Sequence, residues 1–91
     1  MKATKFLSVA GKIMKNRGKQ YDSAKGERSG AKVAIAFSAL TGKYLTPAEV
    51  YLVMQLTKDA RQWAAPVYHA DSAVDGVGYS ALKAEELSHG R

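Results

Sequence analysis

Ninety-one residues with 46% apolar side chains make one domain around a single small core, and self-association is a natural source of added stability for so short a chain. The absence of cysteine excludes disulfides and thiolate metal sites and suits a reducing cytoplasm, the compartment expected here. The formal net charge of +6 arises wholly in the first thirty residues, where eight Lys and Arg face only Asp22 and Glu27. Such asymmetry suggests an anionic partner, whether nucleotide, nucleic acid or acidic protein; a solubilising helix face is the plainer explanation.

In chain order, Ala3 to about Arg17 reads as an amphipathic helix, with Phe6, Val9, Ala10, Ile13 and Met14 at helical spacing. Lys12 and Lys15 break its apolar run, so it is neither a signal peptide nor a membrane span. Gly18 is placed to end it, and residues 18–30 are expected to form a basic loop. Asp22 and Ser23 offer a cap there, but Gly26 and Gly30 delay the next helix to about Ala31. Val33, Ala36, Phe37 and Leu40 then define an apolar stripe, which Gly42 closes.

The third helix carries the clearest start signal, with Thr46 as N-cap, Pro47 at the first helical position and Glu49 completing a capping box. Val50, Val53, Met54, Thr57 and Ala60 form one apolar face and Leu52, Leu56 and Trp63 another, which predicts a central helix contacted from both sides. Pro66 stops it. Asp71 and Ser72 are expected to cap a last helix, Ser72 and Asp75 approximating a second capping box, with Val74, Val77, Ala81 and Leu87 inward. Gly76 and Gly78 each cost about 1 kcal/mol inside a helix, which predicts close approach of another backbone or a ligand. Residues 88–91 are expected to fray. The fold class is all-α: one domain over residues 1–91, a compact antiparallel bundle of about four helices that assembles into a homo-oligomer.

Lys58 and Arg61, three residues apart, project from one side of the third helix and suit a phosphate or carboxylate; pairing of Arg61 with Asp71 or Asp75 across the hairpin is the structural alternative. Asp71 and Asp75 have a spacing that can share a divalent cation, although a helix N-terminus favours carboxylates in any case. His69 lacks a partner at a recognisable spacing and reads as a loop residue, and Ser72 and Ser80 lack a nucleophile-elbow context. Lys19 and Tyr21, with Lys25 and Arg28, form an aromatic-bearing basic stretch suited to phosphates and a stacked base.

Arg17, Lys19-Gln20-Tyr21-Asp22, Thr46-Pro47-Ala48-Glu49-Val50, Leu56 to Arg61, Asp71 to Asp75 and Gly78 to Leu82 occur in an order that resembles a family of short bacteriophage all-α proteins, over roughly residues 5–87. That family is distantly similar to MazG-type nucleoside triphosphate pyrophosphohydrolases, a resemblance that implies a helical, oligomeric, Mg²⁺-dependent enzyme with an ExxE pair and an ExxD pair as metal ligands. Here Asp75 matches the final Asp, but Ser72 stands where its Glu partner belongs and the Val33–Leu40 helix has no acid. We therefore expect a non-catalytic binder of a phosphorylated nucleotide or nucleotide-derived signal, needing no cofactor and serving a phage by sequestering a host defence signal. Lys19, Lys58 and Arg61 would hold phosphate, Tyr21 or Tyr79 would stack, and Asp75 would orient Arg61. The alternatives are a divergent Mg²⁺-dependent pyrophosphohydrolase using Asp71 and Asp75, and a module that meets nucleic acid or a host protein through the basic N-terminal third.

Overall fold

The structure, a computed structural model, describes residues 1–21 and 29–90, with all side chains in those ranges except residues 18–21. Helices α1 (Ala3–Tyr21), α2 (Ser29–Thr41), α3 (Pro47–Ala64) and α4 (Ala70–Gly90) pack together, and no strand occurs among the described residues. The all-α expectation holds. The proposed cap at Asp22 and Ser23, and Lys25, Gly26 and Arg28, lie outside the described residues.

Most helix ends follow local chemistry. At the start of α3 the Thr46 hydroxyl accepts from Glu49 N at 3.1 Å while Glu49 Oε1 accepts from Thr46 N at 2.9 Å. This reciprocal box, with Pro47 in the first turn, matches the sequence signal. Gly42 adopts φ 71° as its amide donates to Ser38 O at 2.9 Å, which ends α2 in the left-handed conformation glycine tolerates. The helix α3 ends before Pro66, as expected.

Four ends differ from expectation, among them the start of α2, which lies at Ser29, two residues before Ala31. Helix α1 does not stop at Gly18 but continues to Tyr21, four residues into the expected loop. Cations in its last turns suit the negative end of the dipole, and one internal glycine costs only about 1 kcal/mol. Helix α4 begins at Ala70, so His69 and not Asp71 or Ser72 holds the capping position. Its Nδ1 accepts from Ser72 N at 3.3 Å and sits 2.6 Å from the Ser72 hydroxyl, satisfying an amide otherwise without an intrahelical partner. Gln62 ties the same turn to α3, donating to Val67 O at 3.1 Å and accepting from His69 N at 2.7 Å. At its other end α4 persists through Gly90, where fraying was expected, with the Ser88 hydroxyl donating to Glu85 O at 2.6 Å.

Helix α4 lies against α3 along the broadest contact, α1 packs on α4 and α2 on α3. Among the described residues α1 is packed against neither α2 nor α3, so the bundle is an open series α1–α4–α3–α2. Its buried apolar residues are Ala10, Ala34, Val50, Tyr51, Val74 and Leu82. Along α4, Leu82 is buried and Ala81 exposed, a shift of one position from the expected inner face. On α2 the correction is larger. Gly30 and Ala34 face inward, while Val33, Ala36, Phe37 and Leu40 lie at the surface.

Tyr51 explains that orientation. It is the most buried large side chain, 2% exposed, and its hydroxyl accepts from Gly30 N at 3.1 Å. Gly30 is the second residue of α2, so the phenol satisfies one of the amides a helix start leaves open. Its ring leaves no room for a larger residue: a Cβ on Gly30 would sit 2.6 Å from Tyr51 Cζ. The opposite side of the phenol stack belongs to α4, where the Tyr79 ring lies at a centroid distance of 6.5 Å and an angle of 26°. Chemical denaturation should show Gly30→Ala destabilised by about 1–3 kcal/mol through overpacking. Tyr51→Phe, which keeps the ring and loses the bond, should cost about 1 kcal/mol.

Candidate functional site

Residues 51, 55, 58 and 62 of α3 recur at helical spacing and turn toward α4. Lys58 is the charged member of that row. Its Nζ lies 3.2 Å from Asp75 Oδ2, and only 14% and 16% of the two side chains remain exposed. Asp75 also meets Arg17 of α1, with Nη2 to Oδ1 at 3.7 Å. One carboxylate thus joins three helices and stands between two cations. Among the described residues the cluster sets two cations against one carboxylate, in a place where water screens them less than at an open surface.

Two hollows flank this junction. A cavity of about 20 Å³ between α1 and α4 is lined by Arg17, Asp75 and Tyr79 among apolar neighbours, room for about one water. On the other side of Lys58 an open groove of about 530 Å³ runs between α3 and α4. Gln55, Lys58, Asp59, Gln62, Ser72 and Ser80 supply polar groups along it, one cation and one carboxylate among them, and Trp63, 88% exposed, stands on its rim. Lys83 Nζ donates to Gln55 Oε1 at 3.0 Å and fixes that amide. The volume falls within the range of small-molecule sites.

The expected site residues are partly assembled. Lys58 and Asp75 meet, and Tyr79 lies beside Asp75 with its ring stacked on Tyr51. Arg61 is exposed in the last turn of α3, and among the described residues no ion pair joins it to Asp71 or Asp75. Three residues on from Lys58 turn the helix about 300°, enough to rotate Arg61 off the row that faces α4. Asp75 therefore orients Lys58 and Arg17 rather than Arg61. The side chains of Lys19 and Tyr21 lie outside the described residues. Arg17, read from sequence only as the approximate end of α1 and as part of the motif order, is the member that was missed; its spacing from Met14 and Ala10 on the inner face of α1 is the signal that finds it.

The Mg²⁺ implied by the MazG resemblance does not fit these residues. Asp75 is committed to two cations, Asp71 is exposed on the first turn of α4, and among the described residues no three His, Asp or Glu side chains gather as a metal site. A divalent ion of this kind needs several oxygen ligands.

Neither Gly76 nor Gly78 is required by packing among the described residues, so the close backbone approach expected at them is not found there. A Cβ on Gly78 would meet Met14 Cε at an ordinary 3.9 Å, and one on Gly76, which lines the groove, would meet nothing within 4 Å. Gly76→Ala should therefore stabilise the fold, by about 1 kcal/mol in denaturant titration, while narrowing the groove.

No curated protein and no solved structure is significantly similar to the chain. A family model does match, over residues 5–87, and includes every residue of the ion-paired junction and the groove. The chain therefore belongs to the DUF6378 family, defined by a domain of unknown function.

Proposed function

We propose that the chain binds a phosphorylated nucleotide, or a signal molecule built on one, in the α3–α4 groove and releases it unchanged. The observation that supports this reading is the Arg17–Asp75–Lys58 cluster, two cations to one carboxylate among the described residues, whose Lys58 opens onto a groove that Asp59 also lines. Asp75 holds the ammonium in place but leaves it hydrogen-bonding capacity for a phosphate oxygen. Trp63 on the rim supplies a face for a base, at a reach from Lys58 set by a little over one helical turn. Gln62 and Ser80 line the space between. Among the described residues no acidic set gathers for a metal, and the Ser72 hydroxyl that meets His69 is buried in the helix cap, so the site suits retention. A ligand so held is withdrawn from whatever else reads it, the use expected above for a phage-type protein.

Trp63 is the chain's single tryptophan and lies on the groove, so its emission reports occupancy. Titration with the four common nucleoside triphosphates should quench it for at least one of them. Lys58→Met should weaken that response at least tenfold, while Arg61→Ala, on the outward side, should leave it within about twofold. Flat emission and no calorimetric heat for all four would end the proposal.

A second reading rests on α1. Lys5, Lys12 and Lys15 share its outer face, all exposed, and the helix contains no acidic residue. Lys5 stands in the first turn, where the dipole disfavours a cation. This stripe suits a polyanion such as nucleic acid. If it binds one, affinity for a mixed-sequence duplex should fall linearly on a log–log salt plot, and Lys12→Gln with Lys15→Gln should reduce the slope by about two. A salt-independent or absent interaction excludes the reading.

A further inference from the structure

The polar groups of the α3–α4 groove differ in what they have left for a ligand. Gln62 is engaged at both ends of its amide, Nε2 donating to Val67 O at 3.1 Å and Oε1 accepting from His69 N at 2.7 Å. Gln55 Oε1 accepts from Lys83 Nζ at 3.0 Å, which leaves chiefly its amino end. Ser72 is 4% exposed, and its hydroxyl lies 2.6 Å from His69 Nδ1. The Lys58 ammonium can only donate and is held by Asp75, while the Ser80 hydroxyl can do either. Asp59 is the exception. Its carboxylate lines the groove, can only accept, and has no hydrogen bond or ion pair among the described residues.

Lys58, Asp59, Gln62 and Trp63 border the groove together, at steps of one, four and five residues along α3. On a helix surface these are the corners of a skewed parallelogram, with Lys58 and Trp63 at the ends of one diagonal. Asp59 lies about 1.5 Å from Lys58 along the axis, and Trp63 follows one turn later on the same face as Asp59, roughly 6 Å away. A nucleotide with its phosphate on Lys58 and its base on Trp63 lays its sugar across the middle, between Asp59 and Gln62. The Gln62 amide is already taken up by the α3–α4 turn, so sugar hydroxyls have Asp59 to donate to. A carboxylate beside a phosphate is unfavourable unless it meets donors, because like charges repel. Two vicinal hydroxyls meet that need, each donating to one carboxylate oxygen.

We infer that Asp59 selects the sugar, and that the ligand class is a ribonucleotide whose 2′- and 3′-hydroxyls are both free. The inference rests on the nucleotide reading of the groove and narrows it: deoxyribonucleotides, and ribonucleotides linked or phosphorylated through either hydroxyl, are disfavoured.

Calorimetric titration of the full chain with the four common ribonucleoside triphosphates and their 2′,3′-dideoxy counterparts tests it. The tightest ribonucleotide should bind at least tenfold more tightly than its dideoxy form, the scale expected for losing hydrogen bonds to a charged group. Asp59→Ala should bring that ratio to within twofold of unity, whereas Asp59→Glu, which keeps the carboxylate, should retain the preference for ribose. Asp59 is exposed, so both variants should keep the helical circular dichroism of the wild type. A wild-type ratio within twofold of unity overturns the inference and leaves the nucleotide reading standing, as does a preference that survives in Asp59→Ala. Binding by none of the eight ligands overturns the nucleotide reading itself, and this inference with it.

Discussion

The fold depends on one phenol. Tyr51 fills the space where α2, α3 and α4 converge, and its hydroxyl and ring serve different neighbours. The hydroxyl completes a helix start that lies twenty-one residues upstream, and the ring takes the stacking partner that positions Tyr79 beside Asp75. Because the residue facing it on α2 must be glycine, the rotation of that helix is settled by steric exclusion rather than by where its larger apolar side chains fall. A helix turned by hydrophobicity alone would have buried Phe37 and Leu40. The usual rule, that the apolar stripe faces the core, fails here because a single large side chain has already taken the core.

That failure marks how far the sequence could be read. Signals confined to one turn were legible: Thr46, Pro47 and Glu49 declare a helix start, and Gly42 and Pro66 declare ends, because each acts through backbone groups within a few residues. The four-helix count and the inner face of α1 followed from periodicity. Across-helix relations were not legible. Whether Asp75 meets Lys58 or Arg61 turns on about 60° of rotation, and the choice of His69 over Asp71 as cap depends on Gln62 holding the preceding turn against α3. Periodicity cannot distinguish an apolar stripe that meets its own chain from one that does not.

The ion-paired junction and the groove share a wall, because Lys58 belongs to both. Asp75 makes Lys58 tolerable at 14% exposure, and Arg17 adds a second cation that no other described acid balances at that point. An arriving anion would complete this cluster electrostatically, and its departure would restore the imbalance. The amides of Gln55 and Gln62 on the α3 wall of the groove are themselves held by bonds to Lys83 and to the α3–α4 turn, contacts that also close the helical hairpin.

Gly76 and Gly78 place the weakest backbone of α4 in its middle rather than at its ends. Together they forgo about 2 kcal/mol of helix propensity in the turn that follows Asp75. Transient opening would therefore begin at the groove floor, and amide hydrogens there would exchange with solvent ahead of those in the capped first turn. The longest helix of the bundle is in this sense a hinge between two firmer halves, one tied down by His69 and Gln62, the other by Leu82. The groove sits on the part of the fold that yields most easily.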